Sequence, residues 1–239
     1  MYQCKSGSHV FIVTYGRSGS TLLQRVLQTI PGFFIRGENN HTLYPMYLAY
    51  RRAHEARYRH GTKEHHSMDP WYGADAIDPQ VFARGLAELF MKDIIQPPAD
   101  ARVVGFKEIR FHEAGDELFE PYLDFIFDNF ADSKFIFNMR GWEAISKSSW
   151  WAKMDSERVR SIIEGADTLY QNYAAKHPER CCIMSYENYD QNPDAYEPLF
   201  QFLGETFDRD LVADIISRRL KHAEVVMDGS LESHRQLTP

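Results

Sequence analysis

Cysteine is scarce in this chain: three residues in 239, two of them adjacent at Cys181 and Cys182. That number builds no disulfide framework, and the spacing matches no zinc pattern. A reducing, cytoplasmic setting is expected. Long apolar runs are missing as well. The N-terminus passes from polar residues into a four-residue apolar run at 10–13, too short for the core of a secretory signal. No stretch approaches the roughly 18 apolar residues of a membrane span. Positive charge is in deficit, with 27 Lys and Arg against 34 Asp and Glu and a formal charge of −7. This argues against a broad nucleic-acid or anionic-membrane surface, and leaves room for a local basic pocket that takes one small polyanion. Repeats and low-complexity tracts are also absent, and 44% hydrophobic with 26% charged residues is the composition of an ordinary globular domain. The length suits one core, so residues 1–239 are expected to form a single domain.

What is present is an alternation of short β-branched or aromatic runs with segments of helical spacing. Strands are expected at 9–14, 33–36, 102–106, 134–138 and 181–185. Helices are expected at 20–30, 41–60, 79–95, 119–130, 142–153, 156–175, 193–203 and 211–220. The histidine-, glycine- and proline-rich segment 61–77 reads as a long loop, expected to act as a lid or substrate loop. The tail from residue 227 onward is polar, and any order in it would have to come from a ligand. Strands separated by helices predict an α/β, P-loop-type three-layer fold: a central, mainly parallel sheet flanked by helices.

The first strand and first helix are joined by Tyr15-Gly16-Arg17-Ser18-Gly19-Ser20-Thr21. A turn in that place presents helix N-terminal amides to an anion. Gly16 and Gly19 let the backbone approach oxygens, Arg17 supplies charge, and Ser18, Ser20 and Thr21 supply hydroxyl donors. A nucleotide-kinase loop would carry Lys immediately before its last Ser or Thr. Here Ser20 holds that place and the cation lies three residues earlier, which points away from ATP with magnesium.

The loop resembles the 5′-phosphosulfate-binding loop of sulfotransferases. A second element supports the resemblance: in that family a strand ends in Arg, and a Ser eight residues later joins it on the 3′-phosphate of the donor. Arg140 ends the fourth strand here and Ser148 follows at that spacing. A guanidinium and a hydroxyl converging on one phosphate form a sensible clamp. A third match is Ser185-Tyr186-Glu187 with Phe202-Leu203-Gly204 further on, which by resemblance puts Tyr186 near the adenine. The resemblance runs from His9 to about Gly204. It implies 3′-phosphoadenosine-5′-phosphosulfate as donor, 3′-phosphoadenosine-5′-phosphate as product, and no metal requirement.

Sulfuryl transfer needs in-line placement, charge stabilisation and a base for the acceptor hydroxyl. By resemblance Arg17 and Lys107, in Gly105-Phe106-Lys107-Glu108, supply the charge. Animal cytosolic members carry a His base two residues after that Lys, where this chain has Ile109. Carbohydrate and protein-tyrosine members instead place a catalytic Glu in a Gly-Glu context, matched by Glu38 in Arg36-Gly37-Glu38. Glu108 is the competing base, with a salt bridge to Arg110 or Lys107 as its other reading. The expected partner is a small-molecule or carbohydrate acceptor, an alcohol in preference to a tyrosyl or phenolic hydroxyl. His60, His65 and His66 read as loop residues, not metal ligands. The rival readings are a P-loop small-molecule kinase and an inactive nucleotide-binding relative.

Overall fold

The computed structural model describes residues 7–227, with side chains as far as residue 218; the expectation for the tail after residue 227 lies outside them. Five strands form one parallel sheet: β1 (Ser8–Val13), β2 (Phe33–Arg36), β3 (Val103–Glu108), β4 (Ser133–Met139) and β5 (Cys181–Ser185), in spatial order β2-β3-β1-β4-β5. Register is fixed along the centre, where Phe11 lies opposite both Phe106 and Phe135. The chain is thus an α/β protein of P-loop type.

Alternation along the strands divides the core in two. Val10, Ile12, Ile35, Ile136 and Met184 face one way, against α1 (Ser20–Leu27), α8 (Glu197–Leu203) and α9 (Arg209–Met227). Phe11, Phe106, Phe135 and Phe137 face the other way, against α2 (Leu43–Glu55), α3 (Pro79–Leu89), α4 (Asp116–Asn129) and α6 (Ser156–Lys176). The second layer consumes much of the aromatic content: Phe11 and Phe106 meet edge to face at 5.1 Å, and Phe137 stacks on Tyr170 at 5.2 Å. Tyr44 and Tyr47 also belong to it, closing on Tyr122 at 5.2 Å each. They therefore serve packing.

Local signals explain most boundaries. Asp78 caps α3, accepting from the amides of Gln80 and Val81 at 3.0 Å, with Pro79 at the first helical position. The expected helices 41–60 and 79–95 hold as α-helix to Glu55 and Leu89 and then widen into π-helical turns, Ala56–His60 and Phe90–Ile95. The segment 61–77 hangs from the far end of α2, folded on itself. The His60 ring stacks on Trp71 at 3.6 Å and His65 Nε2 lies 2.7 Å from the His60 carbonyl.

One expected helix is broken. Residues 142–153 form α5 only over Trp142–Ser146 and resume as a 3₁₀ turn at Ser149–Lys153, so Ser148 sits on extended backbone, not on a helix. The run Ser146-Lys147-Ser148-Ser149 is a weak helix former, and Ser149 takes a left-handed φ of 53°. The break lets Trp151 turn inward and donate its indole N–H to the Gly16 carbonyl at 3.1 Å.

Candidate active site

Every strand of the sheet delivers a singled-out residue at or just beyond its C-terminal end. Across the edge the order is Glu38 after β2, Lys107 on β3, the loop 15–19 after β1, Arg140 after β4 and Tyr186 after β5. In parallel sheets this edge is where ligands bind.

The loop is shaped from beneath by groups the sequence reading passed over. Thr14 Oγ1 lies 2.7 Å from both Ser18 Oγ and the Asn138 carbonyl. Asn138, fully buried on β4, donates through Nδ2 to the Ser18 carbonyl at 3.1 Å and accepts from the Tyr189 hydroxyl. A buried Asn closing an otherwise apolar strand was the visible signal for this role. Arg17 is left-handed at φ 68°, as is Gly19 at φ 80°. Alternation of this kind turns successive amides toward one concave point. Ser20 and Thr21 open α1, whose first turn holds no acidic residue, so its end is electropositive.

Gly19 has no freedom to change. A Cβ there would stand 2.1 Å from the Tyr186 ring, on a backbone that costs a non-glycine residue about 1–2 kcal/mol. Gly19→Ala is expected to lower the melting temperature and to displace Tyr186, measurable as lost unfolding enthalpy and altered tyrosine fluorescence. Gly16 is covered likewise by Trp150, at 2.4 Å from a virtual Cβ.

Arg140 is held from three sides. Its amide donates to the Tyr15 hydroxyl at 2.8 Å, and that hydroxyl donates to Asp167 Oδ1 at 2.8 Å. Burial first, then Asp167, pushes the Tyr15 phenol far above its ordinary range, so it stays protonated. Burial likewise pushes the Asp167 carboxyl up to about 6. The next amide, of Gly141, donates to Glu187 Oε1 at 2.9 Å. The Arg140 guanidinium lies over the Tyr186 ring at 4.2 Å and donates through Nη1 to the Arg17 carbonyl at 2.9 Å. Its Nε is buried with no partner. Ser148 Oγ accepts from Arg17 Nε at 2.9 Å, so Arg140 and Ser148 meet through Arg17 and not directly. An unanswered guanidinium N–H beside a cationic loop and an aromatic face fits a phosphorylated nucleoside.

At the other end, Lys107 Nζ is ion-paired with Glu38 Oε1. The Lys107 side chain is 7% exposed and that of Glu38 40%, so the carboxylate opens to solvent while the cation does not. Glu108 differs: it is fully buried, and its oxygens accept the amides of Asn39 (3.1 Å), His41 (2.8 Å) and Ile109 (2.8 Å), with Arg110 at 3.6 Å. Among the described residues no group of three or more His, Cys, Asp or Glu is arranged to hold a metal ion.

A family model described as the sulfotransferase family matches residues 9–209. The chain belongs to that family. No curated protein matches the chain in sequence. Among solved structures it is similar to thymidylate kinase from Candida albicans, at 10% identity and a TM-score of 0.40, with 92% of this chain and 93% of that one covered. Among its described residues no helix is long and apolar enough to cross a membrane.

Proposed function

We propose that this chain transfers a sulfuryl group from 3′-phosphoadenosine-5′-phosphosulfate to a hydroxyl of a carbohydrate or other alcohol, with Glu38 as general base. The observation that carries this is the order of residues along the sheet edge: a carboxylate and a buried ammonium at one end, the anion loop in the middle, and a guanidinium on an aromatic ring at the other. The donor, when bound, supplies an activated sulfuryl group. Gly16, Arg17, Ser18, Gly19, Ser20 and Thr21 would hold its 5′ end through backbone amides, hydroxyls and the Arg17 charge. Arg140 would take the 3′-phosphate, with Ser148 reaching it alongside Arg17, and Tyr186 would bear the adenine. Lys107 neutralises charge beside the reacting centre, and its pairing with Glu38 aims that carboxylate. Glu38 would accept the hydroxyl proton as the acceptor oxygen bonds to sulfur and the bond from sulfur to the 5′-phosphate oxygen breaks, with 3′-phosphoadenosine-5′-phosphate as the leaving group.

Calorimetric binding of 3′-phosphoadenosine-5′-phosphate, 5′-AMP and ATP with magnesium tests this reading. Wild type is expected to require the 3′-phosphate. Arg140→Ala is expected to weaken 3′-phosphoadenosine-5′-phosphate by roughly 10- to 100-fold, the worth of a charge-assisted pair, and to weaken 5′-AMP far less. A preference for ATP, or indifference to Arg140, would overturn the reading in favour of a kinase.

A further inference from the structure

Two successive residues at the end of β3 grip the same loop by different atoms. Lys107 reaches the Glu38 side chain, while Glu108 reaches the backbone immediately after it, at Asn39 and His41. That backbone would not hold its shape unaided. Asn40 and His41 are both left-handed without being glycine, at φ 55° and 59°, a conformation that non-glycine residues keep only when their surroundings over-determine it. Asn39 and Thr42 bond across the turn and the His41 ring packs on Tyr44 and Tyr122, and the one charged group that holds its backbone is a buried carboxylate. Glu108 Oε2 collects two amides from this turn, and Oε1 collects the amide of Ile109 and the Arg110 guanidinium. A carboxylate so engaged and fully buried has no face left for a substrate proton.

We infer that Glu108 is a positioning residue for sulfuryl transfer: its carboxylate is the anion around which residues 39–41 are wound, and so it sets where Glu38 stands relative to Lys107. This rests on the assignment of Glu38 as base. The two charged residues of β3 then divide the work, Lys107 aiming the Glu38 carboxylate and Glu108 fixing the backbone that carries it.

The test is a double-mutant cycle on full-length protein. It combines Glu108→Gln with Glu38→Gln and reads sulfate release from 3′-phosphoadenosine-5′-phosphosulfate into water under single turnover, with 3′-phosphoadenosine-5′-phosphate binding measured in parallel. Glu108→Gln is expected to bind that nucleotide as wild type does and to release sulfate roughly 10- to 100-fold more slowly, the cost of misplacing a reacting group by about an ångström. In the Glu38→Gln background it is expected to cost nothing more, because it acts only through Glu38. If Glu108→Gln fails to fold, Glu108→Asp, which keeps the charge and shortens the reach, carries the same expectation. Losses that multiply, nucleotide binding that falls with the rate, or a wild-type rate in Glu108→Gln beside a slow Glu38→Gln would overturn the inference; a wild-type rate in Glu38→Gln would instead overturn the assignment of the base. Failure of wild type to bind the nucleotide would instead overturn the donor assignment.

Discussion

Glu38→Gln is expected to retain donor binding and lose about 10² to 10⁴ in the rate of sulfuryl transfer, the usual worth of a positioned general base. The amide has the shape of the carboxylate and still offers Lys107 an acceptor oxygen, so the pocket should keep its form. Only the ability to take a proton is removed. Two features of the site make Glu38 the group to lose. It is the more exposed member of its ion pair with Lys107, so it alone of the two can meet an incoming hydroxyl. Glu108, the other carboxylate of the region, has both oxygens committed to backbone amides. The measurement is initial rate against calorimetric affinity for 3′-phosphoadenosine-5′-phosphate. A variant that turns over at the wild-type rate would place the base elsewhere, and one that loses affinity in step with rate would make Glu38 a structural partner of Lys107.

The sequence announced the frame of this site better than its supports. Strands 33–36 and 181–185 were legible to the residue, because apolar runs between turn residues are read directly from composition. The anion loop stood out by its residue types and its place between β1 and α1, and Arg140 through the family resemblance. The supports were hidden because they depend on contacts between residues far apart in the chain. Nothing local marks Glu108 as the partner of residues 39 and 41, since β2 and β3 are brought side by side only by the sheet. Nor does periodicity reveal that α5 ends at Ser146. The weak helix-forming run 146–149 permits a break there, and the burial of Trp151 against Gly16, a long-range contact, is what makes use of it.

Acid should weaken this protein from beneath the same loop. His41 is buried, stacked on Tyr44 at 4.8 Å and set edge-on to Tyr122 at 5.6 Å, and its Nε2, like His112 Nδ1, has no partner. Burial pushes both imidazoles down to about 4. Arg110 adds to this for each, and His112 adds to it for His41. A depressed histidine contributes stability that is complete above its unfolded value near 6.5 and is lost as pH falls through the folded value. For the pair, the loss between about pH 6.5 and 4 is on the order of 5 kcal/mol. Asp167 works in the opposite direction: with its carboxyl pushed up to about 6, its contribution grows as pH falls. Burial also lowers His9, which joins the loss, and raises Glu113 and Asp128, which join Asp167; the two large histidine shifts outweigh the one large carboxyl shift, so the net change on acidification is destabilising. Melting temperature measured from pH 7 to pH 4.5 is therefore expected to fall steeply, and more gently in His112→Gln. A flat wild-type profile over that range would mean that these imidazoles are already charged, or hydrated, in the native protein. The acid-sensitive cluster includes His41, whose amide is held by Glu108. Activity should therefore fade on the acid side before the sheet unfolds, as the turn carrying Glu38 loosens first.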